Sequence, residues 1–169
     1  VYVDTKESVA CIDAAVNHDK KVILCSQRDW NYPLSAKGLF NVGTLGEITE
    51  VLRMPDATIH AIIKTTDIVN IYNIEKNTNV FSADVLPIEI LDDASTEQNI
   101  RLKEKVFDAL KVLSMYKKFK MDKMYGVIQN YPVAAFVDAV IQITNMTAEN
   151  AVDILQMRTW HEKLAALLA

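Results

Sequence analysis

Apolar and polar residues follow two different periods along the chain. The helical period comes first over residues 6–16, where Thr5 stands in position to cap the helix. Strand-like runs follow and are separated by polar turns, which favours a β-rich region. These runs cover residues 22–25, 40–48, 59–63, 68–72 and 80–90. Gly43 and Gly46 interrupt one run and predict a bulge or a sharp bend, as in a small barrel.

The period changes from two to about 3.6 after residue 95. Helices are predicted over residues 96–118, 123–129, 133–143, 148–157 and 160–168. Thr159 and Glu162 have the spacing of a capping box for the last helix. The pattern therefore predicts an α+β protein with a β-barrel lobe at 1–91 and an α-helical lobe at 96–169. Asp92 and Asp93 fall in the joint, where we expect them to be exposed and to act as a hinge.

Charge divides the chain in the same place. The net charge of the 169 residues is −4; residues 1–95 hold 8 basic and 14 acidic side chains, and residues 96–169 hold 10 and 8. This balance disfavours a nucleic-acid binder, which needs clustered lysine and arginine. No apolar run is long enough to span a membrane, and no signal peptide is visible. Because the chain begins with Val1 rather than methionine, we expect a piece of a longer protein. Its two cysteines, Cys11 and Cys25, fit reduced thiols in a cytoplasmic protein.

Catalytic and metal-binding motifs are missing from the sequence. It has no phosphate-binding GxxxxGK[ST] loop, no GxGxxG and no HExxH. The histidines, His18, His60 and His161, lie in different predicted elements without metal-ligand spacing. Cys11 and Cys25 form no CxxC, so we expect two reduced thiols and no disulfide or metal site. These absences predict that this piece has no enzyme activity.

A loop at residues 27–38 is the first candidate binding site. It places Trp30, Tyr32, Pro33 and Leu34 in a segment without core periodicity. Exposed apolar side chains in a loop can dock unfolded or extended chains. The alternative is that both aromatic rings fold back over the barrel as a lid.

Two further candidates lie in the second half. The first is a group of adaptable side chains that could form a promiscuous apolar site: Met121, Met124 and Tyr125. The alternative is that these side chains belong to the core of a helix bundle. The second is a cluster of lysines that could contact an acidic partner or a neighbouring domain: Lys117, Lys118, Lys120 and Lys123. The alternative is that these lysines form an ordinary solvated surface.

Four segments, taken in order, resemble the amino-terminal domain of Lon, the ATP-dependent AAA+ protease. They are VNHDKKVIL at 16–24, LFNVGTLGEI at 39–48, LRMPDAT at 52–58, and NAVDIL at 150–155 followed by HEKL at 161–164. Ala57 stands where the family usually has glycine, which makes a positive φ costly in that turn. Residues 64–68 lack the family's glycine and arginine, and its opening strand would precede Val1.

This resemblance implies a PUA-like β-barrel, whose first strand is missing here, followed by a helical lobe. It also implies a non-catalytic domain that recognises unfolded, damaged or degron-bearing proteins and supports assembly of the protease. The ATPase and Ser-Lys proteolytic domains, with their ATP and Mg, would lie outside this chain. Full-length Lon implies a homo-hexamer, whereas we expect the isolated piece to be a monomer or weak dimer. The alternative is a stand-alone PUA-like module that binds a ligand or RNA, although the acidic barrel disfavours RNA.

Overall fold

The α+β class is confirmed by a computed structural model, which describes residues 1–117 and 126–169. The chain forms two compact units, Val1–Ile88 and Glu89–Ala169. We call them the sheet unit and the helical unit. The sequence-based boundary lay at 92–95, and the structure places those residues within the helical unit.

One antiparallel sheet and one packed helix make up the sheet unit. Its elements are β1 (Tyr2–Val3), α1 (Lys6–Val16), β2 (Lys21–Leu24), β3 (Val42–Arg53), β4 (Ile59–Asn77) and β5 (Val80–Pro87). The strands lie in the order β1-β4-β3-β2, and β5 also pairs with β4. A short 3-10 turn at Ala36–Gly38 precedes β3. Closure of these strands into a barrel stays a prediction.

A single long strand, β4, replaces the two strands predicted at 59–63 and 68–72. The polar stretch between them looks like a loop in the sequence, but it pairs with β3. Lys64 lies opposite Glu47, and Asp67 lies opposite Leu45. The predicted separation was wrong because backbone pairing with a neighbouring strand outweighs the local preference of polar residues.

The glycines of β3 lie where a neighbouring strand of the sheet approaches the β3 backbone closely. A Cβ on Gly43 would lie 2.6 Å from the Leu24 carbonyl oxygen, and one on Gly46 would lie 2.5 Å from a methyl group of Ile63. The register with β4 shifts beside Gly46 and again before Glu50. The predicted bulge is therefore present, and larger side chains would displace the neighbouring strands.

Helix α1 packs against the sheet. The Thr5 side chain accepts a hydrogen bond from the Ser8 backbone N–H, so the predicted cap and helix bounds are confirmed. Ile12 and Ala15 are buried on the face that meets the sheet. The core cluster of this unit consists of Val3, Ile12, Ala15, Ile48, Ile59 and Ala61.

In the described part of the chain, the helical unit contains the helices α2 (Glu97–Lys117), α3 (Val133–Thr144), α4 (Ala148–Gln156) and α5 (Trp160–Ala166). Its core cluster holds Val106, Phe107, Leu110, Ile128, Val133, Phe136, Val137, Val140, Ile154 and Leu164. The Thr159–Glu162 capping box is confirmed, since the Thr159 hydroxyl oxygen accepts from the Glu162 backbone N–H at 3.1 Å. Within the described residues, no helix is long and apolar enough to cross a membrane.

Asp92 is a structural residue rather than an exposed hinge. Its carboxylate accepts hydrogen bonds from the backbone N–H groups of Trp160 at 2.6 Å and His161 at 3.1 Å, at the start of α5. The buried Asn99 side chain donates to the same carboxylate at 2.9 Å. Burial raises the pKa of Asp92, but these hydrogen bonds outweigh it and hold that pKa below the ordinary value.

Candidate functional site

The loop at residues 27–38, which we call the aromatic loop, is held in shape by a buried polar side chain at its base. Gln27 is only 8% exposed, and its amide nitrogen donates to the Asp29 carbonyl at 2.8 Å and to the Tyr32 carbonyl at 2.7 Å. Both bonds draw the loop backbone inward around the amide. Sequence analysis did not single out Gln27; its only signal was a polar residue two positions after the apolar run at 22–25.

Local hydrogen bonds complete the loop. The Asp29 carboxylate accepts from the backbone and side-chain nitrogens of Asn31, both at 2.9 Å. At the far end, the Ser35 hydroxyl oxygen accepts from the Gly38 N–H. The Arg28 N–H donates to the Gly38 carbonyl at 2.8 Å and closes the two sides together. These bonds brace the loop without using its aromatic side chains.

The aromatic side chains point to solvent. Trp30 is 80% exposed and Tyr32 is 70% exposed; Pro33 is also exposed, and Leu34 is half-buried. The alternative in which both rings cover the sheet as a lid is therefore wrong. Two large rings on a braced backbone offer contact area at a small cost in conformational entropy.

The remaining predicted site residues are only partly within the structure. Lys117 is the last residue of α2. Six others lie outside the described residues: Lys118, Lys120, Lys123, Met121, Met124 and Tyr125. The methionine and lysine sites therefore stay predictions, and the aromatic loop is the candidate that the structure places.

Titratable groups in the described residues do not assemble into reactive or metal-binding clusters. No group of three histidine, cysteine or acidic side chains in this part of the chain could hold a metal ion. Burial raises the pKa of the Cys25 thiol, which disfavours the nucleophilic thiolate. The Cys11 sulfur accepts a hydrogen bond from the Phe81 backbone N–H at 3.2 Å, as in a packing role.

Comparison with known families identifies the fold and its context. The full length of the chain, residues 1–169, matches the substrate-binding domain of ATP-dependent protease La (LON). The chain belongs to this Lon domain family. The resemblance drawn from four short motifs is thereby confirmed.

Relatives of this Lon domain are much longer proteins. A Lon protease of Buchnera aphidicola subsp. Schizaphis graminum is 25% identical over 170 residues, covering 100% of this chain and 22% of the relative. A Lon protease of Escherichia coli (strain K12) is 23% identical with the same coverage. The chain thus spans about a fifth of the length of the curated relatives it matches.

Solved structures share the fold of this Lon domain. The N-terminal domain of the Mycobacterium avium complex Lon protease matches with a TM-score of 0.73 and 14% identity, covering 99% of this chain and 87% of that one. A Lon N-terminal domain protein from Xanthomonas campestris matches with a TM-score of 0.64 and 13% identity, covering 99% and 86%. Sequence has diverged far while the fold has persisted.

One departure from the Lon pattern has a direct structural effect. Ala57, which replaces the usual glycine, adopts φ 66° in the turn between β3 and β4. The turn is closed by a hydrogen bond from the Met54 N–H to the Thr58 carbonyl at 2.9 Å, and Asp56 accepts from both the N–H and the hydroxyl of Thr58. The turn therefore keeps the left-handed geometry with a residue for which that geometry is strained.

Proposed function

We propose that this chain is the substrate-recognition domain of a Lon-type protease and that it binds unfolded or degron-bearing polypeptides through the aromatic loop. The supporting observation is the exposure of Trp30 and Tyr32 on a loop whose backbone is already fixed by Gln27. Membership of the Lon substrate-binding domain family supports the same class of ligand.

Unfolded chains are recognised best by a few adaptable apolar contacts. Such a chain presents apolar side chains but no fixed surface, so close shape complementarity has little to match. Trp30 and Tyr32 can stack on many side chains, and the neighbouring Pro33 limits the backbone freedom that binding would otherwise remove. A buried aromatic anchor commonly contributes on the order of 2 kcal/mol to binding.

The whole protein would supply the chemistry. In this proposal the ATPase and Ser-Lys proteolytic domains, together with ATP and Mg, belong to other parts of the same polypeptide. That polypeptide assembles as a cytoplasmic homo-hexamer, and this domain delivers substrate to the ring and supports its assembly. The isolated domain is a monomer or weak dimer, because it carries no long heptad seam in its sequence.

Binding to a permanently unfolded protein tests the proposal. Reduced, carboxamidomethylated α-lactalbumin carrying a fluorophore is titrated with the 169-residue chain and followed by anisotropy. The double variant Trp30→Ala, Tyr32→Ala is expected to bind at least about tenfold more weakly, which corresponds to ~1.4 kcal/mol. The matched variant Trp30→Phe, Tyr32→Phe keeps the apolar rings and is expected to bind almost normally.

A second control tests whether any exposed apolar pair would serve. Tyr72 and Leu86 are also exposed, on strands β4 and β5 of the same unit. Their double alanine variant is expected to bind as the unaltered chain does. Normal binding by the Trp30→Ala, Tyr32→Ala variant, with its fold intact by circular dichroism, would refute the role of the loop.

A further inference from the structure

A groove on the helical unit lies between the start of α2 and the start of α5 and has a volume of about 320 Å³. We call it the basic groove; it is lined by Glu97, Gln98, Arg101, Leu102, Lys105 and His161. We infer that the basic groove binds acidic, apolar-containing segments of polypeptide substrates. This inference rests on the proposed function and adds a substrate class and a second contact surface to it.

The groove has an excess of positive charge. Arg101 and Lys105 lie one helical turn apart and face the same side of α2, whereas Glu97 supplies the one carboxylate of the lining. Within the described residues, Lys105 makes no ion pair. Two neighbouring cations in a concave surface attract a carboxylate more strongly than isolated surface lysines do.

A carboxylate of a ligand can replace one partner of the ion pair that is present in the groove. Glu97 and Arg101 are paired, but their side chains are 79% and 71% exposed. An ion pair so exposed contributes little to stability, because water competes with it. A carboxylate from a substrate can therefore take the guanidinium at small cost, and a planar guanidinium can hold it through two hydrogen bonds.

Apolar groups continue along the same side of α2. Leu102 is half-buried in the groove lining. Ala109 and Val112 follow Lys105 at helical spacing, and both are exposed, Val112 by 54%. This arrangement places cations beside an apolar stripe, which fits an amphipathic segment whose carboxylates precede or follow aliphatic side chains.

Charge complementarity selects this occupant over a neutral unfolded chain. A neutral segment would gain only the apolar contacts at Ala109 and Val112. An acidic one would also gain a charge-assisted contact at Lys105 and could exchange with Glu97 for the Arg101 guanidinium. The Asp92 carboxylate is engaged by the backbone at the start of α5, so its charge is already compensated by three hydrogen bonds.

Two peptides of 14 residues test the inference against the whole 169-residue chain. One is an amphipathic sequence with four glutamates and four leucines, and the other replaces every glutamate with glutamine. At 50 mM salt we expect the acidic peptide to bind at least about tenfold more tightly. Its advantage should fall severalfold at 500 mM salt, because exposed charge pairs are screened.

Variants locate the binding site. Arg101→Gln with Lys105→Gln removes both charges and keeps long polar side chains, and it is expected to weaken the acidic peptide several-fold without affecting the neutral one. The matched control changes two exposed lysines of the sheet unit that lie outside the aromatic loop, Lys6→Gln with Lys64→Gln, and should leave both peptides unaffected. In methyl NMR spectra, the acidic peptide should shift the signals of Leu102 and Val112.

Several results would overturn the inference. Equal affinity for the two peptides, an equal effect of the lysine control, or unshifted Leu102 signals would each do so. A single-stranded RNA that binds the groove more tightly than the acidic peptide would also do so. Trp30 and Tyr32 are unchanged in these variants, so binding of unfolded α-lactalbumin tests the aromatic loop separately. If α-lactalbumin binds normally but the peptide experiments fail, the role of the basic groove is refuted and that of the aromatic loop is not.

Discussion

The sheet unit and the helical unit satisfy their buried polar groups in different ways. In the sheet unit, strand pairing occupies most backbone groups, and charged pairs such as Lys76–Glu7 lie near the surface. In the helical unit, side chains from distant positions close the helix ends. Asp92 binds the start of α5, and the Lys163 ammonium donates to the Ile154 and Leu155 carbonyls at the end of α4.

This difference changes how a charged residue should be interpreted. Lys163 is 1% exposed, and Lys103 donates to the carbonyls of Gln129 and Tyr131, so neither is available to a partner. Lys105 and Arg101, on the same unit, face the basic groove. In the helical unit a positive charge is therefore a candidate for binding only where its nitrogen atoms are not already engaged by a helix end.

The largest predicted effect is a pH dependence of the stability of the helical unit, which the buried charge of Lys163 causes. Burial lowers the pKa of Lys163 to about 8 from 10.5, although Asp138 and Glu162 act in the opposite direction. Between those pH values the unfolded chain holds more protons, so folding stability should rise with pH. The rise should approach about 3 kcal/mol for the helical unit.

Urea unfolding at pH 7 to 10.5, followed by hydrogen exchange of each unit, measures this rise. The variant Lys163→Met has no titrating group at this position, so its stability should lack that component of the pH dependence. An identical pH dependence of the two proteins would show that Lys163 is not a strained buried cation.

The variant Asp92→Ala should destabilise the helical unit by about 2 kcal/mol, because it leaves two N–H groups of α5 without their acceptor and removes one of the two acceptors of the Asn99 amide. Hydrogen exchange should accelerate in α5 and leave β3 and β4 unchanged. The carboxylate's lowered pKa means that its contribution is present at neutral pH and is lost as the pH falls through that value.

Asp93→Ala is the matched control for this prediction. Among the described residues, the Asp93 carboxylate accepts hydrogen bonds only from the neighbouring Ser95. The substitution leaves in place the Asp93 backbone carbonyl that accepts from Asn99, so it should cost clearly less. Comparable losses for the two variants would contradict the distinction between a long-range tie and a local turn.

The smallest predicted effect lies in the sheet unit. Ala57→Gly should raise the free energy of unfolding by about 1 kcal/mol, because glycine adopts the positive φ without a Cβ clash. Ala14→Gly, in the exposed part of α1, should lower it by about the same amount. Thermal unfolding of both variants checks the opposite signs, and a destabilised Ala57→Gly variant would exclude strain in this turn.

Structural features that depend on neighbouring residues were predicted well from the sequence. The bounds of α1 follow from the Thr5 cap and an apolar stripe that repeats within eleven residues. The Thr159–Glu162 box marks the start of α5 in the same way, and the glycines of β3 mark its bend. In each case the interacting groups are within a few residues, so their types and spacing carry the information.

The aromatic loop was only half determined by the sequence. Its composition showed that Trp30 and Tyr32 lack core periodicity, but exposed rings and a lid over the sheet fitted that pattern equally. The decision rests on Gln27, whose buried amide holds two loop carbonyls and leaves the rings outside. A side chain's direction in an irregular segment depends on such contacts, which have no fixed spacing.

By itself, the sequence determined the α+β class, the Lon resemblance, the helix caps and the position of the turn at 54–57, whereas the positive φ of Ala57 is visible only in the structure. Only the tertiary structure decided that β4 is one strand, that Asp92 binds a helix 68 residues later along the chain, and that Lys163 is buried. The physical reason is the range of the interactions. Propensity, capping and periodicity act between neighbours along the chain, whereas strand pairing and burial are fixed by partners that only folding brings together.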